Sequence, residues 1–328
     1  MISLLDTLLE RLDDWGERHS RPGRQTMLAL PMLAPALLIL GAFGLFPLFY
    51  AFHLSLYAGK AGQGAFTGLG NYGLALGRPE FWNSVQVTVY YVAGVVPLTL
   101  LLSLLVAYGL WRVTWGRGVL RTFFFLPFIT SAVAAATVWR AILDPQTGAA
   151  NQLLEWLGLP PQAWLLEPAG VLHLFTGGAV PVDVGPSLAL CCIIAFDVWH
   201  GSGFAIVVFL AGLSAIPREL EDAARIDGAG SWQLLRRVVL PLISPTIFFL
   251  MIVSVIRAFQ AFNSFFTLTA GGARTLGTTE NLILHVYSNF YEYQYWGYGA
   301  AVALLLSGMI VVLTWLQWRF LGRRVFYS

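Results

Sequence analysis

Asp197 and Arg257 are charged side chains inside stretches that are otherwise apolar, and charge placed there is expensive unless it does something. Asp197 is followed by Trp199, His200 and Ser202, and Arg257 by Gln260 and Ser264. If the second stretch is helical, Arg257, Gln260 and Ser264 recur at i, i+3 and i+7 on one face, which can line a watery route. A guanidinium there can hold a phosphate or carboxylate through two parallel hydrogen bonds. The plainer reading is structural: Asp197 and Arg257 pair with each other or with backbone, and Arg257 reaches toward water along its apolar stem. Catalytic sets are missing. His19, His53, His173, His200 and His285 are scattered without H-E-x-x-H spacing, and the adjacent Cys191 and Cys192 suit neither a disulfide framework nor a metal set. A phosphate-cradling G-x-x-x-x-G-K-[ST] loop needs a lysine before Ser or Thr, but Lys60, the one lysine, precedes Ala61. The expectation is no catalytic residue, metal or cofactor of the chain's own, with any energy supplied by a partner.

The elements that must position these residues lie in a bilayer. Of 328 residues 57% are hydrophobic and 11% charged, with a mean hydropathy of +0.70, too little polar surface for a soluble globule. Crossing a hydrocarbon core of roughly 30 Å takes about 20 apolar residues. Six stretches qualify, at about Met27 to Leu56, Val85 to Trp111, Val119 to Leu143, Pro186 to Leu213, Val238 to Leu268 and Tyr298 to Leu321. The fold expected is an all-α membrane protein of six transmembrane helices.

Arginine placement orients it, because loops rich in Arg and Lys stay in the cytoplasm. With the N-terminus inside, the groups around Arg11 to Arg24, Arg112 to Arg121, Arg218 to Arg237 and Arg319 to Arg324 are cytoplasmic. Lys60, Arg78, Arg140 and Arg274 fall outside. Both termini are then cytoplasmic. The net charge of +2 gives no reason to expect nucleic acid. Residues 1–25 are no signal peptide, since Asp6, Glu10, Asp13, Asp14 and Glu17 interrupt the apolar positions; Leu4, Leu5, Leu8, Leu12 and Trp15 recur at helical spacing. They are expected to form a cytoplasmic amphipathic segment, with residues 26–328 as the transmembrane domain. The segments from Asp144 to Gly185 and Thr269 to Gly297 are long enough to form an outer surface for a partner.

Between the fourth and fifth stretches lies a polar interruption. Pro217 suits the first turn of a helix, Gly228 and Gly230 can end one where φ is positive, and Glu221 can pair with Arg225 at i, i+4. A short amphipathic helix on the cytoplasmic side is the result, with Leu220, Ala223 and Ala224 as its apolar stripe. The order Asp222-Ala223-Ala224, three residues, Gly228, nine residues, Val238, one residue, Leu240-Pro241 resembles the signature loop of permease subunits in binding-protein-dependent ABC importers, Glu-Ala-Ala-x3-Gly-x9-Ile-x-Leu-Pro. The surrounding Ile216 to Leu220 and Ile226 to Ala229 look like the carbohydrate-uptake branch, which includes maltose-type and glycerol-3-phosphate-type permeases. Phe66-Thr67-Gly68-Leu69-Gly70-Asn71-Tyr72, Arg121 to Pro127, and Leu268-Thr269-Ala270-Gly271-Gly272 resemble further features of that branch in the right order.

The resemblance implies a cytoplasmic coupling helix docked in an ATPase subunit through Glu219, Asp222, Ala223, Ala224, Asp227, Gly228, Leu240 and Pro241. It further implies a second permease subunit, two ATPase copies, an outer solute-binding protein and the bacterial inner membrane. Asp222 stands where Glu is usual, so its contact with the ATPase is one methylene short. The cargo implied is a sugar or related polyol, glycerol 3-phosphate included. A stand-alone channel or ion-coupled transporter leaves the loop spacing unexplained, and a membrane enzyme lacks its catalytic set.

Overall fold

A computed structural model describes residues 33–60, 64–113, 116–182, 184–270 and 277–322. The expected amphipathic segment 1–25 lies outside the described residues, as do Arg274, Arg323 and Arg324. The chain divides into two compact units, up to Leu54 and from Ser55 onward. The first is built on helix α1, Leu33–Ser55, apolar and long enough to cross a bilayer. Its turn at Gly41–Leu45 is wide, with the Phe46 N–H reaching back to the Gly41 carbonyl. Pro47 follows directly; it has no N–H for the Phe43 carbonyl, so the helix opens just ahead of it.

In the second unit, strands β1, Tyr57–Ala58, and β2, Ala65–Phe66, pair antiparallel ahead of α2, Gly70–Gly77. Asn71 is buried and donates to the carbonyls of Ser55 and Tyr57, both at 2.8 Å. Gly68 has φ +58°, and a Cβ on Gly70 would strike Thr67 Oγ1, so the Thr67-Gly68-Leu69-Gly70-Asn71 run serves a tight turn with an asparagine staple.

Three helices run unbroken at spanning length: α3, Pro79–Arg112; α8, Leu188–Ser214; and α14, Trp296–Phe320. Between α3 and α8 lie α4, Arg117–Ile129; α5, Ala132–Ile142; α6, Ala149–Trp156; and α7, Val171–Phe175. After α8 come α9, Arg218–Ile226; α10, Ser231–Leu242; α11, Ser244–Phe259; α12, Asn263–Leu268; and α13, Leu282–Tyr287. Helix α8 is central and mostly apolar, with Ala189, Ile193, Phe196, Phe209 and Leu213 at 1% exposure or less. At Gly203 it meets α4 so closely that a Cβ would lie 3.0 Å from the Phe124 carbonyl oxygen and the Phe128 Cβ. One core packs α3 and α8 with Phe265, Leu282 and Val302; a second packs Ala107, Phe209 and Leu213 with Leu234, Val239 and Ile243.

Two of the expected spans are not single helices. The stretch from Val119 to Leu143 is α4 and α5, bent by 93°; α10 and α11 are bent by 68°. At the first bend the Thr130 hydroxyl donates to the Pro127 carbonyl at 2.6 Å, competing for the acceptor that the Ser131 N–H would use in a continuing helix. At the second, Pro245 has no N–H for the Pro241 carbonyl, and in a continuing helix its ring would crowd that oxygen. The stretch from Val238 to Leu268 breaks again after Phe259, before α12. Among the described residues, helices able to span therefore number four, or up to six if each bent pair is one span.

Candidate coupling segment and transport cavity

Helix α9 forms where the sequence places it, between the fourth and fifth apolar stretches, with Pro217 as its N-cap residue just outside the first turn. Glu219 and Glu221 in the first turn and Arg225 in the last complement the helix dipole, and Arg225 pairs with Glu221. The helix ends in a Schellman motif: the Ala229 N–H reaches the Ala224 carbonyl at 2.9 Å and the Gly228 N–H the Arg225 carbonyl at 3.0 Å. Gly228 has φ +79° in open space, so backbone conformation alone calls for glycine. Gly230 differs from expectation: its φ is −70°, and it caps α10, taking the Gln233 side-chain oxygen on its N–H at 3.1 Å.

The apolar stripe also divides. Ala224 packs onto the chain's own core, as do Val238 and Leu240. Ala223 is exposed, Leu220 is 44% exposed, and beside them Ile226 and Trp232 are 86% and 68% exposed. Asp222, Asp227 and Pro241 are exposed too. Ile226 and Trp232 lie outside the stripe expected from the sequence, although large apolar side chains in a segment too polar for lipid are a signal for exposed anchors. The base is braced from α3, where Arg112 donates to the Ser231 hydroxyl at 3.1 Å and lies 4.6 Å from the Tyr108 ring centroid.

The intramembrane polar residues meet in a cavity of about 320 Å³. Asp197 and His200 enter from α8, Tyr91 from α3, Arg257 from α11, Gln260 from the break after it, and Asn263 and Ser264 from α12. The single helical face expected for Arg257, Gln260 and Ser264 is absent, because α11 stops at Phe259. The break itself brings all three to the cavity.

Pairing between Asp197 and Arg257 is not what forms. The Tyr91 hydroxyl donates to Asp197 Oδ2 at 2.7 Å, with the buried Ser264 hydroxyl facing the same carboxylate. Arg257 instead lies beside two rings, 5.0 Å from the Phe204 centroid and 5.9 Å from that of Phe128. His200 Nε2 is 3.3 Å from the Thr130 carbonyl oxygen at the α4–α5 bend. Tyr91 and Asn263 were not foreseen. A tyrosine among valines reads as core filler, and no local spacing links it to an aspartate 106 residues away.

Residues 72–327 match the family described as binding-protein-dependent transport system inner membrane component. A probable ABC transporter permease of Pyrococcus horikoshii is 32% identical over 88% of this chain and 94% of its own length. The trehalose/maltose transport system permease MalF of Thermococcus litoralis is 30% identical over 89% of this chain and 92% of its own. Among solved structures, a chain of a bacterial ABC transporter that imports the acidic polysaccharide alginate superposes with a TM-score of 0.73. It covers 91% of this chain and 96% of that one at 22% identity, a likeness of fold. With the family match taking in most of its length, the chain belongs to the binding-protein-dependent inner-membrane components, as an ABC transporter permease of the carbohydrate-import type.

Proposed function

We propose that residues 26–328 act as one permease domain that forms half of a translocation pathway, and that α9 is its coupling helix, seated in a cytoplasmic ATPase. The observation that carries this reading is the exposed set Leu220, Ala223 and Ile226 on a short helix, with Trp232 exposed at the start of the next, braced by the ion pair, the Schellman turn and Arg112. A helix presenting apolar anchors on a rigid base suits docking in a groove. Glu219, Asp222 and Asp227 surround those anchors, Gly228 sets the turn, and Leu240 and Pro241 join the lever to the spans. The partners are a second permease subunit, two ATPase copies and an outer solute-binding protein, in an inner membrane with both termini and α9 on the cytoplasmic side. ATP hydrolysis belongs to the separate subunit. Replacing Leu220 and Ile226 by Asp should leave the permease in the membrane and strip the ATPase from it during affinity purification. Full retention of the ATPase overturns the docking reading.

The cavity is the cargo route in this proposal. The rings of Phe204 and Phe262 can face a sugar, while Gln260, Asn263 and Ser264 can take its hydroxyls. Arg257 favours a cargo that also bears an acidic group: the Tyr91 hydroxyl holds the Asp197 carboxylate, and the guanidinium faces the cavity with no carboxylate paired to it among the described residues. A uronate oligosaccharide or glycerol 3-phosphate fits this chemistry better than a neutral disaccharide. With the reconstituted importer, uptake of a diuronate, sn-glycerol 3-phosphate and trehalose should rank the acidic compounds first. Arg257→Gln should cost the acidic cargo about tenfold, the loss of one charge-assisted contact. Equal uptake of acidic cargo by wild type and variant overturns this assignment.

A further inference from the structure

The wall of the cavity that carries Gln260, Ala261, Phe262 and Asn263 is an interruption between α11 and α12, and an interrupted helix leaves backbone groups to be satisfied. The Ala261 carbonyl is taken up from twenty residues away: Asn281 Nδ2 donates to it at 2.7 Å. Asn281 is 1% exposed and is also the N-cap of α13, its Oδ1 accepting the Leu284 N–H at 3.0 Å. The next residue reaches the facing wall, since the Leu282 N–H donates to Thr88 Oγ1 at 2.9 Å. Thr88 is 1% exposed and lies one helical turn before Tyr91, the donor to Asp197.

We propose that Asn281 is a positioning residue of the cavity. Through its amide N–H it holds the α11–α12 interruption, and with the Leu282 N–H on Thr88 it fixes that wall against α3. Its two hydrogen bonds use different atoms, so they can be separated. The cap needs only an acceptor, which Ser and Asp supply as well as Asn. The grip on Ala261 needs a donor at the length of an Asn amide. Asn281→Ser and Asn281→Asp keep the cap and lose the grip; Asn281→Ala loses both.

The functional meaning rests on the cavity being the cargo route, but the test does not depend on it. A reporter Gln260→Cys, in a chain with Cys191→Ala and Cys192→Ala, is labelled with 2-sulfonatoethyl methanethiosulfonate, using the full-length permease with its copurifying partners in nanodiscs. Freeing the interruption should speed labelling about fivefold or more in Asn281→Ser and in Asn281→Asp, the scale set by losing a buried hydrogen bond. Asn281→Asp places an oxygen against the Ala261 carbonyl; if that variant does not accumulate, Asn281→Ser gives the result alone. Labelling at the reporter's own rate in the cap-preserving variants overturns the proposal, whether or not Asn281→Ala changes, because a capping role alone would move only the alanine variant. If Arg257→Gln leaves acidic uptake intact while Asn281→Ser still speeds labelling, the cargo assignment fails and the positioning role stands.

Discussion

Tyr91 and Asp197 show how a half-buried carboxylate is held at the cavity wall in this protein. The carboxylate meets a phenol from a helix 106 residues earlier in the chain, at 2.7 Å, and so does not need Arg257. Tyr91 is itself buried at 2% exposure, with Phe265 edge-on at 4.8 Å between ring centroids. Tyr91→Phe should therefore keep the packing and remove one hydrogen bond to a charged acceptor, destabilising the protein by about 2 kcal/mol. A detergent-solubilised variant that melts at the wild-type temperature counts against that account. Asp197, Arg257, Gln260 and Ser264 could be picked out beforehand because charge and amide groups stand out in apolar runs. Their arrangement could not. A helical wheel put three of them on one face, whereas a break in the helix is what brings them together.

At the scale of elements, α9 and its turn are the part that local sequence describes best, because its caps, dipole charges and i, i+4 pair act within a few residues. Gly228 at φ +79° carries the turn. Gly228→Val forces a β-branched side chain into the left-handed region at about 1–2 kcal/mol, with no clash to relieve since the space around it is open. The permease should still insert, and ATPase retention should fall. Gly228→Asn should retain more, since Asn tolerates that region. Equal retention by Val and Asn variants rules out conformational strain as the cause. The two bends were less evident. Pro127, Pro241 and Pro245 are visible in the sequence, but proline in a span can be absorbed, as Pro97 is inside α3. Whether a proline bends the helix depends on what lies beside it, here the Thr130 hydroxyl and the packing of Leu234, Val239 and Ile243.

For the whole molecule, α8 lies directly against the backbone of α4 at Gly203. Gly203→Leu has no flexible side chain to displace there, since the nearest atoms are the Phe124 carbonyl oxygen and the Phe128 Cβ. Separating α4 from α8 should cost about 1–3 kcal/mol and lower the yield of folded protein in detergent, read by size-exclusion chromatography. A wild-type elution profile and melting temperature refutes it. Composition and hydrophobic runs determined that the chain is apolar enough for a bilayer, and the resemblance of the Asp222 to Pro241 segment to a permease signature loop pointed to the family that the match over residues 72–327 shows, because these signals are local and additive along the chain. The tertiary structure alone decided that Tyr91 holds Asp197, that Arg257 faces the cavity without a carboxylate partner among the described residues, and that the Asn281 amide reaches the Ala261 carbonyl. Those pairings depend on which helices pack together and where each is interrupted, and contacts between residues 20 to 106 positions apart leave no periodic mark in the sequence.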